Sequence, residues 1–304
     1  MIEILTSEVI LIDHLRIFIT VAEQRHFSKA AELLHLSQPN VSLQIKKLEQ
    51  EFGAKLFQRS PKYVVLTEAG ETLYLCAKQM IQLYDETKAQ IDEQRKSIRG
   101  KIKIGASFTI GEYVLPVILA SYAKEYPEVE VEVKIGNTKQ IVEQIESFDL
   151  EAAFVEGEVP AHVNAEPFMK DEMILIASPH HALSHLRVIK ADMLNEQIWI
   201  LREEGSGTRA YSDQVIEELQ LAVKQSFILS SSQSIKEAII AGLGIAMLSR
   251  LTVQKELENG ELVRLPLFNQ KYERIFSVIQ ASKITHKKAV KQFLRKMMHF
   301  QTYS

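Results

Sequence analysis

The chain of 304 residues is long enough for two or three domains that each bury a core, and its 46% hydrophobic content is that of an ordinary globular protein. A net charge of −3 argues against a protein that coats nucleic acid nonspecifically. The single cysteine, Cys76, excludes an internal disulfide and metal sites built from several cysteines, and no apolar run approaches the ~20 residues that span a bilayer.

The amino-terminal segment, residues 1–12, predicts either a frayed extension or an added helical turn. Its acidic residues differ from the basic start of a signal peptide, so we expect a cytoplasmic protein with no membrane partner. A first amphipathic helix follows, marked by Leu15, Phe18, Ile19 and Ala22. For a second, short helix we expect Ser28 to be the N-cap and the apolar residues to pack inward: Ala30, Ala31, Leu33 and Leu34.

A third predicted helix carries one narrow apolar stripe, whose members are four, three and four positions apart: Val41, Ile45, Leu48 and Phe52. We expect Ser37 to cap this helix and Pro39 to be tolerated in its first turn, where backbone N–H groups have no helical partner. The opposite face is polar and cationic, and residues 14–66 contain eight Lys or Arg against four Asp or Glu. Such a helix, supported by a shorter preceding one, is typical of proteins that read the DNA major groove.

The next two elements are a hairpin and a long helix. Residues 55–66 alternate around Ser60-Pro61 and predict a small β-hairpin, or wing. From Thr67 to about Ser97 the segment has no proline and only Gly70 in its first turn, so it predicts a helix. Its apolar residues approximate a heptad seam that favours pairing with a second copy of the chain: Leu73, Cys76, Met80, Leu83, Thr87 and Ile91. The polar members of the seam leave an alternative open, in which this helix packs on the downstream domain.

Beyond Arg99-Gly100, predicted strands alternate with predicted helices, which is the pattern of a parallel α/β sheet. Strands are expected at residues 101–106, 129–135, 151–155, 173–177, 198–201, 227–229, 245–248 and 274–281. We expect two hinged halves, with the last strand and helix returning to the first half. Ligands in such folds bind at the carboxyl ends of the strands, between the halves.

Several segments between residues 14 and 72 closely resemble the amino-terminal signature of LysR-type transcriptional regulators: Phe27-Ser28-Lys29-Ala30-Ala31, Leu36-Ser37-Gln38-Pro39-Asn40-Val41-Ser42, Gln44-Ile45, Leu48-Glu49, Gly53, Leu56-Phe57-Gln58-Arg59 and Leu66-Thr67-Glu68-Ala69-Gly70. The layout of the remaining chain is also similar to that family. Residues 105–113 (GASFTIGEY) and 204–209 (EGSGTR) look like a subset that regulates sulfur or carbon dioxide assimilation.

The resemblance implies an α/β protein overall, made of three parts. Residues 13–66 would form a winged helix-turn-helix DNA-binding domain, and residues 67–98 a linker and dimerisation helix. Residues 99–304 would form an effector-binding domain that resembles periplasmic binding proteins. Its implied subdomains are residues 100–168 with 272–304, and residues 169–271.

The resemblance also places one group of residues at DNA: Ser28, Lys29, Ser37, Gln38, Pro39, Asn40, Ser42, Leu43, Lys46, Arg59 and Lys62. Gln38 and Asn40 suit hydrogen bonds to base edges, and Leu43 suits contact with a thymine methyl. Lys46 is expected near phosphate, whereas Lys62 is equally well explained as a solvated charge. A dimer would then bind a dyad with the family's T-N11-A-like core.

A second group of residues suits a small anionic effector: Ser107, Thr109, Glu156, Arg202, Gly205, Ser206, Gly207, Thr208 and Arg209. Hydroxyls supply donors, glycines let backbone N–H groups approach a ligand, and helix amino ends favour negative charge. Arg202 and Arg209 would supply positive charge, and Glu156 would line the cleft or tune its charge. For residues 205–208 the alternative is simply a turn that caps a helix.

The remaining patterns do not favour an enzyme, a cofactor or a metal site. The histidines at positions 180, 181 and 185 lie in a predicted loop, and no nucleophile elbow, P-loop or dinucleotide-binding glycine motif occurs. A cytoplasmic solute-binding protein without a transcriptional role is the alternative function, because the carboxy-terminal region alone fits one. The expected partners are double-stranded DNA, a small-molecule effector and further copies of the chain in a homodimer or homotetramer, with RNA polymerase if the protein is an activator.

Overall fold

The computed structural model describes residues 2–59, 64–92, 98–267, 271–281 and 287–300. The chain divides into two units, Met1–Lys96 and Ser97–Ser304, and each unit has its own hydrophobic core. Among the described residues, no helix combines the length and the apolar character needed to cross a membrane.

The first unit starts with three helices: α1 (Ile2–Gln24), α2 (Phe27–Leu33) and α3 (Gln38–Glu51). Helix α1 thus includes residues 2–12, which extend it at its amino end. The predicted apolar stripe of α3 is buried at Val41, Ile45 and Leu48, where it packs on α1 and α2. Ser37 caps α3 as predicted, since its hydroxyl accepts a hydrogen bond from Asn40 N at 3.4 Å.

Three local predictions in this unit were wrong. His26 caps α2, because its Nδ1 accepts from the backbone N–H groups of Ser28 and Lys29, which puts Ser28 inside the helix. Leu33 was expected in the core but is 59% exposed, and Phe52 lies beyond the last turn of α3 and is 46% exposed. Phe52 misses the core because it follows the last turn of α3, and Leu33 misses it because α2 turns Ala30, Ala31 and Leu34 towards the core instead.

The wing is an antiparallel pair of strands, β1 (Phe57–Arg59) and β2 (Val64–Leu66), and helix α4 (Glu68–Asp92) follows it. The Thr67 hydroxyl donates to Lys55 O at 2.6 Å and accepts from Gly70 N at 3.0 Å, so one side chain caps α4 and ties it to the wing. A Cβ on Gly70 would lie 2.2 Å from Leu56 O, so this close approach requires glycine.

Helix α4 packs on α1 along a line that includes Leu73 of the predicted seam but then departs from it. Leu73 and Ala77 are buried against α1, whereas the seam residues Cys76, Met80 and Leu83 are exposed within this chain. The rest of the predicted linker, residues 93–97, lies outside the described residues. The exposed seam therefore has no partner in the described part of the first unit, and α4 belongs to that unit.

The second unit contains the remaining elements. Its first half comprises β3 (Gly100–Ser107), α5 (Phe108–Tyr113), α6 (Leu115–Glu125), β4 (Val129–Gly136), α7 (Thr138–Glu146) and β5 (Ala152–Glu156). Strand β6 (Ala165–Ala177) leads to β7 (Ile198–Arg202), α8 (Gly207–Glu218), β8 (Gln225–Leu229), α9 (Ser232–Ile240), β9 (Ile245–Ser249), α10 (Arg250–Glu258) and β10 (Val263–Arg264). Strand β11 (Tyr272–Gln280) and helix α11 (Lys288–Met298) end the described unit.

The described strands of this unit form one nine-stranded sheet in the order β4-β3-β5-β11-β6-β9-β7-β8, with β10 beside β6. Strands β3, β4 and β5 are parallel, as are β7, β8 and β9, but β11 runs antiparallel to both β5 and β6. The prediction of a wholly parallel sheet was therefore wrong, because β6 and β11 cross between the halves without an intervening helix. Strand β6 is also longer than predicted, and α10 and β10 were missed.

Two apolar clusters cover the first half of this sheet, and two others cover the second half. In the first half, Phe293 of α11 packs within one cluster with Phe154 of β5 and Phe276 of β11. The last strand and helix thus pack with the first half, where they hold the carboxyl end of β5 in place. The winged helix-turn-helix, the long helix and the two-part α/β domain predicted from the sequence are confirmed.

Candidate functional site

Helix α3 presents to solvent the polar face that the sequence assigns to DNA. Gln38, Pro39 and Leu43 are exposed, and Leu43 is 51% exposed although it is apolar. Gln38 Nε2 donates to Ser42 Oγ at 2.9 Å. Bonds between side chains one helical turn apart are weak at an exposed position, so both groups can exchange this bond for one to a ligand.

A second bond of the same spacing involves a residue outside the predicted set. Gln44 Nε2 donates to Asn40 Oδ1 at 3.0 Å, and both side chains are half-buried. Gln44 thus holds the Asn40 side chain at the side of the reading face. Asn40 keeps its amide nitrogen for a further acceptor, which a base edge can supply.

The start of the wing closes one side of this face. A cavity of about 620 Å³ lies between α3 and the wing, lined by Pro39, Ser42, Leu43, Lys46, Glu49, Lys55 and Phe57. The buried Glu49 carboxylate accepts from Leu56 N at 3.1 Å and from Lys55 Nζ at 2.8 Å, so it fixes the wing against α3. Lys55 was missed by the sequence analysis, although its side chain is 77% exposed and cationic.

The other predicted DNA residues are distributed over α2, α3, β1 and the part of the chain outside the described residues. Ser28 and Lys29 are exposed in the first turn of α2, and Lys46 is exposed on α3. Arg59 is the last residue of β1, and Lys62 lies outside the described residues.

In the second unit, three predicted hydroxyls converge on one predicted carboxylate. Glu156, at the carboxyl end of β5, accepts from Ser107 Oγ at 2.9 Å, Thr109 Oγ1 at 3.1 Å and Thr208 Oγ1 at 3.2 Å. Ser107 is the last residue of β3 and Thr109 lies in α5, whereas Thr208 lies in the first turn of α8 in the second half. All four side chains are buried, so the structure brings together residues from both halves of the sheet.

The cation of this cluster, Arg274, was missed by the sequence analysis. Its Nη1 donates to Thr208 Oγ1 at 3.0 Å, its Nη2 donates to Thr109 Oγ1 at 3.2 Å, and Nη1 lies 3.5 Å from Glu156 Oε1. Its Nε donates to Asp171 Oδ2 at 2.7 Å. Arg274 lies in the middle of β11, where alternation marks only a strand, so local sequence gave no signal of this role.

Asp171 completes the cluster from β6, directly opposite Arg274 in the strand register. Ser249 Oγ, at the end of β9, donates to its Oδ1 at 2.5 Å. Burial raises the pKa of Asp171, and its bonds to Arg274 and Ser249 only partly offset that effect. The cluster thus holds two carboxylates and one guanidinium away from water.

Arg202 and Arg209 lie near this cluster but do not enter it. Arg202 is buried, donates to Glu203 at 2.8 Å and to Ser232 Oγ at 3.3 Å, and stacks 4.8 Å from the ring centroid of Phe108. Arg209 pairs with Asp213 at 2.8 Å and donates to Arg202 O. Both predicted cations are therefore already neutralised by a carboxylate one or four residues away.

The glycine loop before α8 brings the two halves together. A Cβ on Gly207 would lie 2.2 Å from Glu156 O, and Gly205 has a φ of +84°, which favours glycine. Ser206 Oγ caps α8 by accepting from Arg209 N. The absence of a side chain at Gly207 thus serves the close packing of α8 on β5. Ser206 acts as the helix cap, which is the alternative interpretation of residues 205–208.

A more open cavity of about 700 Å³ lies on the outer side of the same loop, between α7 and α8. Its charged lining residues are mostly acidic: Glu143, Glu146, Glu158, Glu204 and Asp213, against Lys139 and Arg209. An acidic lining repels an anion, so this cavity suits an anionic ligand poorly.

Comparisons with known proteins cover both units of the chain. Residues 12–71 match the bacterial regulatory helix-turn-helix protein, lysR family, and residues 95–299 match the LysR substrate binding domain. The HTH-type transcriptional regulator CysL of Bacillus subtilis is 43% identical over 270 residues, which cover 88% of this chain and 90% of CysL.

Two further relatives come from Synechocystis. A probable RuBisCO transcriptional regulator is 32% identical over 300 residues, which cover 96% of this chain and 87% of that protein. The CcmR regulatory domain, solved in complex with 2-PG, is 27% identical with a TM-score of 0.60, covering 66% of this chain and 96% of that chain. The names CysL and RuBisCO regulator match the subset that residues 105–113 and 204–209 predict.

Proposed function

The chain belongs to the LysR family of bacterial transcriptional regulators, and we propose that it reads a dyad operator with paired α3 helices under the control of a small anion bound in the buried cleft. The effector would bind where Ser107, Thr109 and Thr208 converge. The regulated pathway would be sulfur assimilation or a related anabolic route, as the name CysL suggests.

The observation that carries the DNA proposal is the division of α3 into two faces. Its apolar stripe is buried in the core of the first unit. The Gln38–Ser42 pair and Leu43 remain at the surface, and the cationic Lys46 and Lys55 lie beside them. A face with base-reading groups in its middle and lysines at its edge fits a major groove flanked by phosphates.

Binding-site selection from random duplexes would define the operator sequence. We expect Ser42→Arg and Pro39→Ala to lose discrimination between the selected operator and random DNA, because each alters the centre of the reading face. Lys46→Gln should weaken binding to the operator and to random DNA equally. It should lower the slope of log affinity against log salt concentration by about one for each helix-turn-helix domain. Lys224→Gln, an exposed lysine of the second unit, is the matched control. Unchanged discrimination in Ser42→Arg would contradict the assignment.

A homodimer or homotetramer is proposed from the exposed seam of α4. Met80 and Leu83 are 46% and 49% exposed, and two such seams packed together would remove them from water. We expect Leu83→Glu to lower the molecular mass measured by sedimentation, whereas Thr72→Glu on the same helix leaves it unchanged. If the protein is an activator, DNA binding by the paired helix-turn-helix domains would also bring it into contact with RNA polymerase.

The observation that carries the effector proposal is that the cleft already binds a carboxylate. Three buried hydroxyls and one guanidinium surround Glu156, and such a set suits the oxygens of a small anion. The bound 2-PG in the CcmR domain supports a small-molecule effector in this fold.

A ligand that favours closure of the two halves would alter the arrangement of the paired helix-turn-helix domains. A coupling free energy of about 1–3 kcal/mol between effector binding and DNA binding is enough to change operator occupancy. A thermal-shift screen of sulfur oxyanions and phosphorylated sugars against wild type and Thr208→Ala tests the site. We expect the stabilising ligand to lose its effect in Thr208→Ala. An equal response in both proteins would remove Thr208 from the site.

A further inference from the structure

The hydroxyl groups of the cleft already donate their hydrogen bonds within the protein. Each of Ser107, Thr109 and Thr208 has one hydroxyl proton, and each directs it to Glu156. Because all three side chains are buried, none has a second proton to offer an incoming anion. An effector that used these donors would therefore have to take the place of the Glu156 carboxylate.

Arg274 holds that carboxylate both directly and through the threonines. Thr109 and Thr208 each accept a hydrogen bond from one of its terminal nitrogens. Each of the two hydroxyls in turn donates a hydrogen bond to Glu156 Oε1. The guanidinium also lies 3.5 Å from the same oxygen. One buried cation thus orients two of the three donors that face Glu156.

The charge of the cluster decides between adding an anion and exchanging one. With Glu156 in place, an added anion would bring a third acid to a site that contains Asp171 and only one buried cation, Arg274. Burying a charge without a compensating partner is strongly unfavourable. Replacing one singly charged anion by another leaves the net charge of the cluster unchanged.

We propose that Glu156 is an internal anion that occupies the effector position, that effector binding is an exchange for its carboxylate, and that Arg274 is the counter-ion of both. This inference rests on the proposed effector cleft and adds its chemistry to it. The ligand class is a small oxyanion, or the oxyanion group of a larger metabolite, that accepts hydrogen bonds from the three hydroxyl groups.

The exchange has a direct route to the rest of the sheet. Arg274 lies opposite Asp171 on β11 and β6, the antiparallel pair between the two parallel sets of strands. Its other contacts reach Thr109 in the first half and Thr208 in the second. A ligand that takes over the Arg274 contact therefore acts on both halves and on the strands that join them.

The test is the affinity of the full chain for nitrate, sulfite and phosphate at pH 6, where each anion is mostly singly charged, measured by calorimetry. Glu156→Ala vacates the position, so we expect at least one of these anions to bind tenfold or more tightly than to wild type. Glu156→Gln, which keeps the shape but removes the charge, should show a smaller gain. Adding Arg274→Gln to Glu156→Ala should return the affinity to the wild-type level or below.

Two controls separate folding from recognition. Arg274→Lys in the Glu156→Ala background keeps the charge beside Asp171, and it should lose only part of the gain. Glu196→Gln and Lys224→Gln remove the members of an exposed ion pair and should leave anion affinity unchanged.

The proposal is overturned if Glu156→Ala binds all three anions within twofold of wild type, or if Arg274→Gln leaves the gain intact. Either result leaves the proposed regulator standing, provided that α3 variants still lose operator discrimination and Thr208→Ala still loses its ligand response. Loss of those two effects would contradict the proposed function itself.

Discussion

The proposed reading surface on α3 and the proposed effector cleft both depend on hydrogen bonds among side chains, but they differ in where those bonds lie. On α3 the bonded partners are four residues apart and exposed or half-buried, as in Gln38 and Ser42. In the cleft the partners are buried and up to 165 residues apart, as in Thr109 and Arg274. Exposed bonds compete with water and contribute little to stability, whereas buried ones cannot be broken without cost.

This contrast indicates which substitutions each region tolerates. The exposed bonds of α3 leave its side chains available to a base edge, so substitution there should alter recognition more than folding. The buried cluster is coupled to the joining of the two halves, so substitution there should alter folding and ligand response together. Three predictions test the contrast, beginning with the largest effect.

Removing the buried cation should destabilise the second unit strongly. Arg274→Met leaves Glu156 and Asp171 buried without their cation, and breaking a buried pair in this way costs about 3–5 kcal/mol. The measurement is urea unfolding of the full chain followed by the fluorescence of Trp199, the single tryptophan, which is buried in the second unit. Arg250→Met is the matched control, because that arginine pairs with Glu172 but is 60% exposed, and it should change stability by about 1 kcal/mol or less. Equal effects of the two substitutions would contradict the contrast between buried and exposed bonds.

In the reading region, stability should depend on the buried stripe alone. Ile45→Ala removes a fully buried side chain from the core of the first unit and should cost about 2–5 kcal/mol. Leu33→Ala, at an exposed position of α2, should cost about 0.5 kcal/mol or less. Amide hydrogen exchange in peptides covering residues 27–51 measures both. Similar loss of protection in the two variants would place Leu33 in the core after all.

The smallest expected effect is a difference in acid stability at the rim of the cleft. Burial raises the pKa of Glu203, but its hydrogen bond and ion pair with Arg202 outweigh burial and hold the pKa below its usual range. Stability from this pair is therefore present above the unfolded-state pKa of about 4.3 and is lost as pH falls through the folded-state pKa.

We expect Glu203→Gln to destabilise the second unit by about 1 kcal/mol at pH 7 and by less at pH 3.5. Urea unfolding followed by Trp199 fluorescence at both values measures the difference. Glu196→Gln, in an exposed pair with Lys224, is the control and should show no comparable dependence on pH. A Glu203→Gln effect that grows in acid would contradict the lowered pKa of this carboxyl.

The sequence identified four of the side chains that meet in the buried cluster, but not the two charged residues that complete it. Ser107, Thr109, Glu156 and Thr208 were found because each stands beside the carboxyl end of a predicted strand or the start of a predicted helix. Arg274 and Asp171 were missed because they lie inside strands, where residue type reveals burial but not the partner across the sheet. Their meeting depends on the antiparallel register of β6 and β11, which only the fold provides.

Local sequence was sufficient to specify the helix-turn-helix, its stripe and its polar face, because those patterns arise from residues three or four apart on one helix. It was also sufficient for most of the strand and helix order of the α/β domain. Tertiary contacts, in turn, make the sheet mixed and keep Leu33 and Phe52 outside the core. They also determine which charge faces Glu156. These outcomes depend on segments far apart in the chain, and a local pattern has no information about such contacts.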